Sequence, residues 1–252
     1  MPASSEHRTT GIQRQSVDSP FGMRLLPTVL SVIAGSTDAI GFLGLGGLFT
    51  AHVTGNLVIL AAHLAAGGEA AVAPMLSVPV FIAVLGVTRL LAGFLERIRV
   101  ASLRPLLLLQ FLLLLACLAV CRGVSRTDPN TASAIIGGML GVSAMAVQNA
   151  LVQIALPGAP STAVMTTNIT HFMMDLGQVL LGHNSDGVLK ARGRAGRTWP
   201  AIIGFAVGCG LGAACEAAIA LWSLVLPTGL ALLAIAMTSR PRSTMGGADE
   251  PR

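Results

Sequence analysis

Asp38, Arg89, Asp175 and Glu216 are charged residues set in the middle of apolar sequence. A charge at the centre of a bilayer costs from ~3 to over 10 kcal/mol, so such a group faces protein or water and normally has a task. Asp38 lies in VIAGSTDAIGFLGL, behind Ser36 and Thr37 and ahead of Gly41, Gly44, Gly46 and Gly47. Glycines at that density let a helix break and free backbone groups to coordinate a solute. A structural Asp at the same place would be satisfied by the neighbouring hydroxyls or would cap a half-helix.

Two further groups share helical faces. His52, Asn56 and His63 are spaced at four and seven residues, and Asn168, His171 and Asp175 at three and four, so each trio forms a stripe. Histidine changes charge near neutral pH and burial tunes carboxylates upward, so these stripes can carry protons. As packing elements, the same side chains would bond neighbouring helices for about 0.6 kcal/mol each. A metal site of His52, His63, His171 and Asp175 would need convergence that their spacing does not demand. A hydrolase built on Asp38 and Asp175 would need the two carboxylates ~3 Å apart. No H-E-x-x-H, G-x-S-x-G or Walker-type loop is present, and the Gly-rich GFLGLGG (Gly41–Gly47) lies within an apolar segment as a helix breaker. The chain therefore reads as a non-enzyme without metal or cofactor.

The elements that hold these residues must be membrane helices. Of 252 residues 53% are apolar and 11% charged, against roughly 25% charged in a soluble domain. With a mean hydropathy of +0.76, the composition excludes an ordinary cytosolic enzyme. Apolar segments fall at 25–48, 50–66, 72–95, 105–120, 132–156, 162–182, 198–218 and 220–237. The second and sixth are short and polar. The fold expected is an all-α polytopic membrane protein with two sequence-related halves and six to eight membrane segments.

The duplication rests on TAHVTGNL at 50–57 and TAVMTTNI at 162–169, which match at Thr50/Thr162, Ala51/Ala163, Thr54/Thr166 and Asn56/Asn168, an offset of 112. An offset of 111 places Asp38-Ala39 over Asn149-Ala150. The parts expected are a flexible cytoplasmic arm at 1–22, a first repeat at 23–120, a linker at 121–131, a second repeat at 132–238 and a flexible tail at 239–252. Repeated halves are a common plan of transporters.

The topology turns on segments two and six. With eight crossings the basic residues divide 12 to 3, Arg97, Arg99 and Arg104 lying outside, and the repeats are parallel. With six they divide 13 to 2, Arg122 and Arg126 lying outside, and the repeats are inverted. Both arrangements satisfy the positive-inside rule with the N-terminus cytoplasmic. The pI near 9.8 follows from that topology rather than from nucleic-acid binding, since few aromatics accompany the basic residues. Arg24 and the apolar run behind it superficially resemble a signal peptide, but the run continues through Leu48 and has a counterpart in the second half. Cys117, Cys121, Cys209 and Cys215 read as small core residues. Gly204, Gly208 and Gly212 lead to Glu216 at four-residue steps, a seam for close helix approach. Arg89 is the candidate partner of Glu216, or else it snorkels towards Glu96 at the interface.

AGSTDAIGFLGLGGLFTAHVTGNLV (Ala34–Val58), AVQNALVQ (Ala146–Gln153) and STAVMTTNIT (Ser161–Thr170) together resemble the YoaK family of uncharacterised bacterial multi-pass membrane proteins. The likeness spans most of the chain between the tails. It implies an inner-membrane protein of six or more helices and supplies neither substrate nor reaction. Where the family has a basic residue after the Asn-Ala pair, this chain has Gln153.

The function expected from the residues is a small-solute or proton-coupled transporter or channel with a midplane site between the repeats. Asp38, His52, Thr54, Asn56, His63, Asn149, Thr166, Asn168, His171 and Asp175 would line the path, and Arg89 and Glu216 would be structural charges. Its partners are the lipid bilayer, an unidentified small solute or ion, and a second copy in a homo-oligomer, with no nucleic acid. The alternative is a non-transporting membrane scaffold or assembly factor.

Overall fold

A computed structural model of the chain describes residues 21–67, 72–123, 130–182 and 184–238. The expected arm, tail and linker lie outside the described residues except at their inner edges. The described residues form the helices α1 (Phe21–Gly44), α2 (Val53–Ala65), α3 (Val72–Arg97), α4 (Leu103–Cys121), α5 (Ala132–Ala155), α6 (Met165–Leu181), α7 (Ser185–Ile219) and α8 (Val225–Met237), with a 3-10 turn at Ala220–Leu224 and no strand. The protein is an all-α, multi-pass membrane protein.

Contacts between helices give each one a direction. Gly204, Gly208 and Gly212 of α7 lie against Thr28, Val32 and Ser36 of α1 in the same order, so these two helices run parallel. Gly22 meets Met237, which sets α8 antiparallel to α1. The Arg104 guanidinium donates to the Thr238 carbonyl, so α4 starts where α8 ends. Gly137 and Gly141 of α5 face Cys121 and Cys117 of α4 in reverse order. The Val72 N–H donates to Asn130 Oδ1 at 3.4 Å, so α3 starts beside the start of α5. Thus α1, α4 and α7 run one way and α3, α5 and α8 the other.

Helices α1 and α3 therefore share a face of the membrane at their junction, and the intervening α2 cannot cross. The same holds for α6 between α5 and α7, on the opposite face. α2 has 13 residues and α6 has 17, but α8 also has 13, so direction rather than length separates α2 and α6 from the other helices. These helix directions fit the six-crossing alternative, with α2 and α6 as hairpins that enter the bundle from opposite ends.

Two boundaries differ from the apolar pattern for local reasons. α1 ends at Gly44 rather than continuing to 48, because Gly46 and Gly47 take left-handed φ values of 66° and 81°. The Gly47 N–H closes the helix end on the Phe42 carbonyl at 3.0 Å, a Schellman-type stop. α7 begins at Ser185, well before the apolar run at 198. The Asn184 side chain accepts from the Asp186 N–H at 3.1 Å, and Asp186 occupies the first turn, where the helix dipole favours a negative charge. This polar first half of α7 packs along α6.

Inside the bundle α1 and α5 are the most enclosed helices, whereas α3 turns Ile82, Val87, Leu90 and Phe94 outward. In hydrocarbon an outward apolar face costs nothing, so contact area rather than exclusion of water must hold helices together. The α1–α7 seam meets that need. A methyl group added at Gly208 would lie 2.3 Å from the Val32 carbonyl oxygen, and one at Gly35 2.2 Å from that of Phe205.

Gly208→Ala is expected to destabilise the protein by about 2 kcal/mol through overpacking, while Gly210→Ala, where the added methyl meets open space, leaves it unchanged; denaturant titration in mixed micelles measures both. Single cysteines at Val100 and Ala66, in a background freed of the four native ones, test the topology. With six crossings position 100 is labelled from the side of an N-terminal tag and position 66 from the other. Eight crossings would reverse both results.

Candidate functional site

Each hairpin carries irregular backbone into the bundle, where buried N–H and C=O groups without a partner are costly. In the first hairpin Asp38 solves this problem. Its Oδ1 accepts from the Thr50 N–H (2.8 Å), the Ala51 N–H (2.6 Å) and the Thr50 hydroxyl (3.1 Å). Its Oδ2 accepts from the His52 N–H at 3.2 Å and lies 3.0 Å from His52 Nδ1. Three successive amides thus converge on one carboxylate at the start of α2, an anion nest occupied by the protein's own side chain.

Asn56 fixes the same turn from within α2. Its Oδ1 accepts from the Phe49 N–H at 2.9 Å, and its Nδ2 donates to the Phe49 carbonyl at 2.7 Å and to Ser77 Oγ of α3 at 2.9 Å. Asn168 does a similar thing in the second hairpin, donating to the Ser161 carbonyl at 2.6 Å. Both bonds reach back seven residues. Here the counterpart of the Asp38 clamp is a chain of amides. Gln148 Nε2 donates to Thr162 Oγ1 and to the Leu30 carbonyl, each at 2.9 Å, and Gln110 Nε2 donates to Gln148 Oε1 at 2.7 Å. Asn149, the residue aligned with Asp38, bonds instead to Met145 of its own helix.

Asp175 anchors the other end of α6. It is buried and accepts from Arg194 Nε at 2.9 Å and from Arg194 Nη2, which also reaches Gln178. The pair ties α6 to the polar half of α7.

Residues 26–237 match a family described as "Protein of unknown function (DUF1275)". The chain belongs to the DUF1275 family. No curated protein and no solved structure matches it.

In this DUF1275 chain the expected polar path divides in two. Asp38 and His52 border a cleft of about 470 Å³ with Phe42, Phe49, Phe205 and Cys209. Asn168, His171 and Asp175 line another of about 420 Å³ with Arg194, Arg197 and Thr198. The two clefts share no residue. Asp38 and Asp175 are each committed to their own partners and do not pair. Thr54 and Thr166 point outward, and His63 is exposed, with Nδ1 against the Ile59 carbonyl of its own turn. The helix α2 is buried only near its start, so the stripe from His52 to His63 leaves the protein interior after Asn56. Among the described residues no three His, Cys, Asp or Glu side chains gather as metal ligands.

Glu216 and Arg89 do not meet. Glu216 is buried beside Gly44 and accepts from Ser223 Oγ at 2.6 Å, while Arg89 is exposed and lies 3.9 Å from Glu96. Helix α3 turns Arg89 away from the core.

Sequence reading missed Gln110, Gln148, Ser77 and Arg194. The two glutamines are polar residues in apolar segments, the signal already used for Asn56. Arg194 falls between the apolar segments 162–182 and 198–218, where intramembrane polarity is no signal.

Asp38→Ala leaves three buried amides without an acceptor, at about 1–3 kcal/mol each, so a loss of at least ~3 kcal/mol is expected. Asp38→Asn keeps one acceptor oxygen and loses less, and Thr54→Ala stays within about 0.5 kcal/mol. Unfolding midpoints in detergent rank the three. An Asp38→Ala protein as stable as the parent would remove the clamp.

Proposed function

We propose that the protein is a permease or channel for a small solute, coupled to protons, built from two inverted repeats in the inner membrane. The observation that carries this reading is the pair of re-entrant hairpins entering from opposite faces. Irregular backbone at membrane depth belongs where it is buried in protein or lines a water-filled path, and broken helices at the repeat interface hold the substrate in many transporters. The matching seven-residue clamps of Asn56 and Asn168 support the duplication. The 13-to-2 division of basic residues supports a cytoplasmic N-terminus.

Within this reading Asp38 and His52 are the proton-exchanging pair. The His52 side chain is 37% exposed while Asp38 beside it is sealed, so the imidazole links a buried carboxylate to the cleft. Asn56 and Asn168 hold the turns and do not contact the solute. His171 and Asp175 belong to the entrance on the α6–α7 side.

A specific observation favours the second reading, a membrane scaffold. Asp38 and Asn56 already spend their polar atoms on internal bonds.

Proton flux into proteoliposomes under an imposed potential, read with an entrapped pH dye, separates the two. The permease reading expects flux above protein-free vesicles, a tenfold or greater fall in His52→Gln, and no change in Arg89→Gln. A parent protein no faster than empty vesicles favours the scaffold. Comparison of metabolite uptake by cells with and without the protein then identifies the solute.

A further inference from the structure

A third concavity lies on the N-terminal face of the bundle and adjoins the α6–α7 cleft, with which it shares Gly158, Ala159, Pro160 and Arg197. It has a volume of about 650 Å³ and runs between the first turns of α1, the connection Leu156–Pro160 and the middle of α7. Arg24 and Arg197 are the charged residues among the described ones that line it, and Thr28 adds a hydroxyl. Neither arginine has a side-chain partner among the described residues. The contrast with Arg194, one turn before Arg197, is informative. There the chain supplies Asp175 and Gln178 as partners, whereas none of the described residues lining the groove is acidic.

The walls match an amphiphilic anion. Met23, Pro27, Leu156 and Pro200 are apolar, and the guanidiniums add planar donor forks suited to phosphate oxygens. α1 adds the positive end of its dipole, with no acidic residue in its first turn. Gly158 and Gly196 line the groove without side chains, and Gly158 takes a φ of 79° that turns the connection away. The groove also lies at the right depth. The polar half of α7 begins the helix on this face, which puts Arg197 at the boundary between water and hydrocarbon.

We infer that the groove between α1, the α5–α6 connection and α7 binds a phosphate group through Arg24 and Arg197. The phosphate comes from the headgroup of an anionic phospholipid or from a soluble phosphate ester. The inference is independent of whether the protein transports anything.

The test uses the full-length protein in detergent, titrated with phosphatidylglycerol, phosphatidylethanolamine and glycerol phosphate, with binding followed by native mass spectrometry and by the shift in melting temperature. The parent is expected to bind phosphatidylglycerol or glycerol phosphate, and the double variant Arg24→Gln/Arg197→Gln to bind at least tenfold more weakly. Lys190→Gln/Arg192→Gln removes the same charge from exposed positions of the same helix region outside the groove, and is expected to bind as the parent does. Phosphatidylglycerol binding without glycerol phosphate binding assigns the lipid source, and the reverse assigns a soluble ester. The inference fails if neither binds, if the groove variant binds as tightly as the parent, or if both charge-matched variants weaken equally. Equal melting temperatures of the unliganded proteins separate lost binding from lost folding.

Discussion

Hydrocarbon offers no hydrogen bonds, so each peptide group that leaves a helix inside the membrane must find a partner within the protein. The chain leaves its helices at membrane depth twice, after α1 and after α5, and much of its polar inventory answers that requirement. Asp38 gathers three amides, Asn56 holds both polar atoms of the Phe49 residue, and Asn168 and Gln148 secure the second turn. The price of buried polarity is offset because the side chains satisfy backbone groups that would otherwise be orphaned.

The two halves reach the same end with different chemistry. A carboxylate clamps the first turn and a chain of neutral amides the second. The first brings a titratable pair, Asp38 with His52, to the edge of an apolar cleft. The second is neutral at its tip, and its ionic contact lies further along α6, where Asp175 meets Arg194. The two hairpins thus present two unlike sites rather than one symmetrical centre.

Packing imposes a second constraint on the same residues. α1 carries Asp38 and also forms the glycine seam with α7, so the clamp is fixed to the most closely approached helix pair in the bundle. Gly35 and Gly212 bring the backbones together within one turn of Asp38. Small residues therefore set the position of the carboxylate as much as the turn it holds.

Membrane residence, the helical class, the breaks at Gly44–Gly47 and the α7 glycine seam were legible in the sequence, because each depends on local composition or on the conformational freedom of single residues. Direction and facing were not. Gln148 and Asn149 are neighbours in sequence but point about 100° apart on a helix, and only the position of α1 and the second turn makes Gln148 the clamp and leaves Asn149 on its own helix. His63 and Asp175 are matched by the 112-residue offset, yet one is exposed and the other is buried against Arg194, because the polar start of α7 covers α6. Spacing along one helix states which residues share a face; what that face meets is decided by helices distant in sequence.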